Sequence, residues 1–236
     1  MKTFEIPYNF DKNLIDYLKE KNSTGQLYHS IYLPPYYLDY HSAKKFYIHP
    51  DGEDMQNQQT MSREEYESHI NYIKKYFPTQ LMLLLQQNNM CIDLDLLHYY
   101  INLGFTKFCV GNVEQANIIR KILPQSEIIG SITMKIMPDD LLDNKYEVFD
   151  GFVLWFPYNR KISVIKSLPK NYKYILLVNC DCNIYCSGTH HWFASKEHEE
   201  NLNCPNSNGK AQWINQIRIH PWDLPIFEPY ITYFKL

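Results

Sequence analysis

Residues 107–132 read KFCVGNVEQANIIRKILPQSEIIGSI, and the fold follows from how this stretch divides. Lys107–Val110 is an apolar run of strand length. Val113–Leu123 repeats its apolar residues at helical spacing and stops at Pro124, and Glu127–Ile132 is a second apolar run. Strand, helix and strand in one short unit imply a parallel pair joined by a crossover helix.

The same alternation continues in both directions. Toward the amino terminus, Gln80–Leu85 is continuously apolar, as strands buried on both faces are. Asp93 caps a helix carrying Leu94, Leu97 and Ile101 that stops at Gly104, and Ser62 with Glu64 and Glu65 opens a helix running to Tyr76. Leu27–Leu33 reads as a strand closed by Pro34 and Pro35, preceded by a helix over Asp11–Lys21 with Leu14, Ile15 and Leu18 on one face. Residues 34–61 form a long irregular segment rich in Tyr, His, Asp and Gln, read as an ordered lid or a surface excursion.

Toward the carboxyl terminus the spacing predicts a short helix at Pro138–Lys145, a strand at Gly151–Phe156, a helix at Arg160–Leu168 and a strand at Tyr174–Asn179. A helix at His190–Leu202, a strand at Gln216–His220, a short helix at Trp222–Glu228 and a strand at Ile231–Leu236 follow. The count is eight strands, the one at Tyr174 being the sixth. The expectation is an α/β fold, a single (β/α)8 TIM-type barrel over residues 1–236 that lacks a covering helix after the last strand. An open doubly wound sheet is the runner-up, but no Gly-rich phosphate turn follows any strand.

A formal charge of −3 over 236 residues offers no broad basic field for nucleic acid. The amino-terminal MKTFEIPYNFDKN lacks the apolar segment of a secretory signal, and no apolar run approaches the roughly 20 residues of a membrane span. A cytoplasmic protein with reduced thiols is expected.

In barrels of this kind chemistry sits at the carboxyl ends of the strands. Those ends carry Asn88, Asn89, Asn112, Ser131, Asn159, Arg160, Asn179 and His220, a polar set poor in the carboxylates that acid–base pairs or oxygen-ligated cations need. The stretch YILLVNCDCNIYCSGTHHWF, Tyr174–Phe193, adds Cys182 and Cys186 just beyond its strand, and Cys204 follows. Thiolates from one loop and its neighbour suit a [4Fe–4S] cluster, which takes four cysteines, or tetrahedral zinc with a His as fourth ligand. Cys91 is the candidate for the fourth position and Cys180 its competitor; Cys109, inside an apolar strand, reads as core. The plainer readings are that these cysteines are packing residues, that His190 and His191 cap a helix or lie exposed, and that Arg160 pairs with Asp150 rather than with an anionic substrate group. A nucleophilic Cys with a His base fits the composition, but no local pattern singles out a pair.

Asn179-x-x-Cys182-x-x-x-Cys186 followed by His191, with FVLWFPYNR at Phe152–Arg160 before it, resembles the collagenase-like peptidase family of unassigned catalytic type. The resemblance extends to EEYESHINYI at Glu64–Ile73, the turn with Asn88, Asn89 and Cys91, residues 113–132, and the closing IRIHPWDLPIFEPYITYFKL. It implies an α/β barrel and, by likeness to members acting in ubiquinone biosynthesis or RNA hydroxylation, a cysteine-held [4Fe–4S] cluster supporting oxygen-independent hydroxylation. Carried over by position, Cys182, Cys186 and Cys204, with Cys91, are the ligand candidates; the polar groups at the strand ends, Asn89, Asn159, Arg160 and Asn179, together with His191, are then expected to line the substrate pocket. The substrate class is a small molecule or RNA. Two other readings remain: a peptidase or other hydrolase using a Cys or a metal-bound water, and a non-catalytic subunit that binds a partner protein or a second copy through the aromatic loop or the last strand.

Overall fold

Alternation along short parallel strands sends one set of side chains outward to meet helices and the other set to a common axis. The computed structural model describes residues 2–36, 61–85, 92–178 and 219–236. Eight strands, β1 Thr3–Pro7, β2 Leu27–Leu33, β3 Leu81–Leu85, β4 Lys107–Val110, β5 Glu127–Gly130, β6 Gly151–Val153, β7 Lys173–Leu177 and β8 Tyr233–Lys235, close into a barrel in chain order. Every neighbouring pair is parallel, β8 with β1 included. Helices α1 Lys12–Ser23, α2 Arg63–Tyr76, α3 Leu94–Asn102, α4 Val113–Ile122, α5 Ile162–Ser167 and α6 Leu224–Phe227 occupy the connections. This is the expected (β/α)8 TIM-type barrel. Among the described residues no helix is long and apolar enough to cross a membrane.

Local chemistry starts and stops these elements. Ser62 closes a capping box with Glu65, and Asp11, Asp93 and Asn112 accept from backbone N–H groups of α1, α3 and α4. The α3 end turns through Gly104 at φ +98°, a conformation costly for any residue with a Cβ. Outward residues such as Ile31, Leu33, Leu83, Phe108, Ile128, Leu176 and Phe234 form one buried core with Ile15 and Leu18 of α1, Ile70 and Ile73 of α2 and Ile119 of α4. At Gly151 an added Cβ would lie 2.3 Å from the Lys173 carbonyl oxygen, so glycine lets β6 and β7 approach there.

Three expectations need correction. The first strand is Thr3–Pro7, which the periodicity did not single out, so the Tyr174 strand is the seventh and not the sixth. Of Gln216–His220, only Ile219 and His220 are described, and neither belongs to a strand; a single bond from the Ile219 amide to the Val178 carbonyl, 3.0 Å, ties them to the end of β7. The eight strands are therefore reached by a different count. Pro138–Lys145 folds as two 3-10 turns, Pro138–Leu142 and Asn144–Tyr146, because Asp143 ends the first and caps the second. The expected helix at His190–Leu202 lies outside the described residues, as does most of the 34–61 segment.

Candidate functional site

The axis is lined by an apolar set, Tyr32, Met82, Cys109, Ile129, Val153 and Ile175, with Trp155 at the carboxyl end. Strand register sorts the inward residues into layers drawn from alternate strands: Glu5, Met82, Ile129 and Ile175, then Tyr32, Cys109, Val153 and Lys235, then Leu84, Ser131 and Leu177 toward the carboxyl mouth. Two charged groups interrupt this packing.

The first lies at the amino end, where β4, β5 and β7 begin. Glu127 stands 3.0 Å from His29 Nε2, 3.7 Å from Lys107 Nζ and 2.6 Å from Lys173 Nζ. The His29 ring stacks on Tyr233 at 3.7 Å, and Lys107 Nζ donates to the His29 carbonyl at 2.6 Å. Burial alone would raise the Glu127 pKa, but His29 and Lys173 outweigh it and hold the carboxyl down at about 2. Burial pushes the Lys107 ammonium below its ordinary value against the pull of Glu127. For Lys173 burial acts in the same downward sense, and Glu127 more than offsets it, so its pKa is raised. A network at this end of a barrel reads as stability.

The second is on the axis itself. Glu5 is fully buried and its Oε2 lies 3.7 Å from Lys235 Nζ, which sits 3.9 Å from the centre of the Tyr32 ring. The Tyr32 hydroxyl donates to the Leu236 carbonyl. Cys109 faces the same space; burial pushes its thiol pKa up, with Lys235 opposing.

At the carboxyl rim, the predicted site residues fare differently. Asn159 is fully buried and donates from Nδ2 to the Leu177 carbonyl at 2.6 Å, so it fastens the end of β7. Arg160 meets Asp223 at 3.2 Å, not Asp150, because Asp150 is taken by Arg120 at 2.8 Å and by the Ile128 amide. Asn112 and Ser131, expected at the mouth, act as caps of α4 and of a 3-10 turn. Cys109 is core, as expected, although on the axial side. Asn89, Asn179 and His191, and all four ligand candidates Cys91, Cys182, Cys186 and Cys204, lie outside the described residues. Among the described residues no group of three or more His, Cys, Asp or Glu is arranged to hold a metal.

Sequence reasoning missed Glu5, Lys235, the Glu127 network and Lys135. Lys135 adopts a left-handed backbone, φ 52°, just after the turn that follows β5, and its ammonium is 5.4 Å from the Trp155 ring centre. A usable signal existed: Thr3 and Glu5, like Tyr233 and Lys235, alternate with Phe4, Ile6 and Phe234, so the apolar partners point outward and the charged residues inward. In most half-buried strands the same pattern means the reverse.

No protein-family model matches this chain, and no curated protein or solved structure does.

Proposed function

We propose that the chain is an iron–sulfur-binding barrel protein of the collagenase-like peptidase type, acting in an oxygen-independent hydroxylation or related redox modification of a small-molecule or RNA substrate. The supporting observation is one of order along the barrel. β7 ends at Leu177, immediately ahead of Asn179 and the cysteine stretch, and β3 ends at Leu85, ahead of Asn89 and Cys91. Both strands run parallel in one closed barrel, so both segments leave from its carboxyl end, where such folds carry their chemistry. The donor set also suits the group: Cys91, Cys182, Cys186 and Cys204 supply the four thiolates a [4Fe–4S] cluster takes.

When bound, the cluster would supply one-electron chemistry. The protein's own share would be to hold it through those thiolates and to bind substrate beside it, with Asn179 and His191, which flank the Cys182–Cys186 stretch, among the polar groups lining the pocket. Asn159 would serve by keeping the end of β7 in place through its bond to Leu177, and Arg160, tied to Asp223, by holding the helical turn beside it.

Anaerobic purification followed by iron and sulfide analysis tests the reading. A brown protein with about four irons per chain, lost in Cys182→Ala, is the expected result. A colourless protein that cannot be reconstituted with iron and sulfide overturns it, and one equivalent of zinc with peptide cleavage in air would point instead to the hydrolase.

A further inference from the structure

The axial pair is poorly explained as a structural ion pair. Glu5 and Ser30 are fully buried and Lys235 keeps 6% of its surface, yet both Glu5 oxygens, Lys235 Nζ and Ser30 Oγ meet no hydrogen-bond partner. Ser30 is the register partner of Glu5, as Lys235 is on the other side, so these residues meet across adjoining layers of the axis. A buried pair at 3.7 Å with its remaining hydrogen-bonding capacity unused recovers little of its desolvation, and apolar side chains of like size would often serve the fold as well.

We propose that Lys235 is a carbonyl-capturing amine, with Glu5 as its proton acceptor and donor and a small neutral aldehyde or ketone as the ligand. Lys235 gives one ammonium proton to Glu5, and its freed lone pair forms the bond to the carbonyl carbon while the carbonyl π pair passes to oxygen. That oxygen takes the proton back from Glu5. The resulting carbinolamine loses its hydroxyl together with a nitrogen proton as water, leaving a protonated iminium. Ammonium and carbonyl become iminium and water, and nothing is oxidised or reduced.

The surroundings favour this adduct over others. An iminium keeps the positive charge of Lys235, so the attraction to Glu5 and the stacking over Tyr32 both survive, whereas an amide would discard them. Leu84 and Leu177 stand one layer nearer the mouth, which limits the ligand to a small one, and the Glu5 carboxylate beneath disfavours an anion.

None of the cysteine candidates takes part, so this proposal and the cluster reading stand or fall separately. The test is to incubate the full chain with limiting glycolaldehyde and sodium cyanoborohydride, which reduces iminium ions, and to quantify modified lysines by peptide mass spectrometry. Lys235 should be labelled about tenfold faster than the exposed Lys145, as an activated buried amine is. Labelling of Lys235 no faster than Lys145 overturns the proposal. In Glu5→Gln, capture at Lys235 should fall about tenfold while Lys145 is unchanged, and undiminished capture would remove Glu5 from its role. Where the glutamine variant does not fold, the wild-type ratio of Lys235 to Lys145 decides alone.

Discussion

Glu127 shows how a single side chain can tie four strands together. Its carboxylate joins β5 to Lys107 of β4 and Lys173 of β7 and meets His29 of β2. Folding lowers its pKa from 4.5 to about 2, so its contribution is complete above the unfolded value and is lost as pH falls through the folded one. Urea unfolding should therefore find wild type more stable than Glu127→Gln at pH 7 and the gap shrinking between about pH 4.5 and 2; a gap independent of pH would contradict this. At Gly151 the effect is steric. A methyl group 2.3 Å from a backbone oxygen cannot be relieved by a rotamer, so Gly151→Ala should lower stability by about 1–3 kcal/mol, read from the urea midpoint. Ser62 and Asp93 are legible as caps because the bonds they make are local and a helical pattern follows them, whereas Asn112 and Ser131, caps just as local, stand at strand ends where a rim role competes. Glu5 and Lys235 were not, since their partner lies at the other end of the chain.

Elements were legible in proportion to their length and to the clarity of their ends. α2 has an acidic first turn, a basic last turn and a Ser62–Glu65 capping box, and its predicted span matches the observed Arg63–Tyr76. Ser62→Ala should cost about 1 kcal/mol in urea unfolding, with a smaller loss in Ser62→Gly, because glycine also tolerates the cap backbone. β1 escaped notice for the opposite reason. Thr3–Pro7 is five residues long, carries a charge at its centre and ends in proline, so no apolar continuity marks it, and its short alternation turns the polar residues to the axis, the reverse of the usual sense. Its backbone is recruited by neighbours: it pairs with β2 on one side and β8 on the other, and the Leu236 amide donates to the Glu5 carbonyl at 3.0 Å. At Gln216–His220, whose apolar residues alternate, only Ile219 and His220 are described, and these two lie in no strand.

For the molecule as a whole, β1 is the closing stave. Removing residues 1–8 would leave β2 and β8 as two open edges, and such edges pair between chains. The shortened chain should aggregate on size-exclusion chromatography and lose its cooperative unfolding transition; a monomer that unfolds sharply would show that the barrel closes without β1. What the sequence determined by itself was the architecture, because a parallel βα repeat is written in local spacing: strand-length apolar runs, helical periodicity and caps between them. It also supplied the candidate ligands by residue type, Cys91, Cys182, Cys186 and Cys204, with Cys180 competing for the fourth position. Only the tertiary structure decided which strand closes the barrel, that Arg160 belongs to Asp223, that Asn159 fastens β7, and that Glu5 and Lys235 meet on the axis. Those outcomes depend on the inward or outward sense of each strand and on contacts between residues far apart in the chain, which arise only when the sheet curves round and its first and last strands are brought side by side.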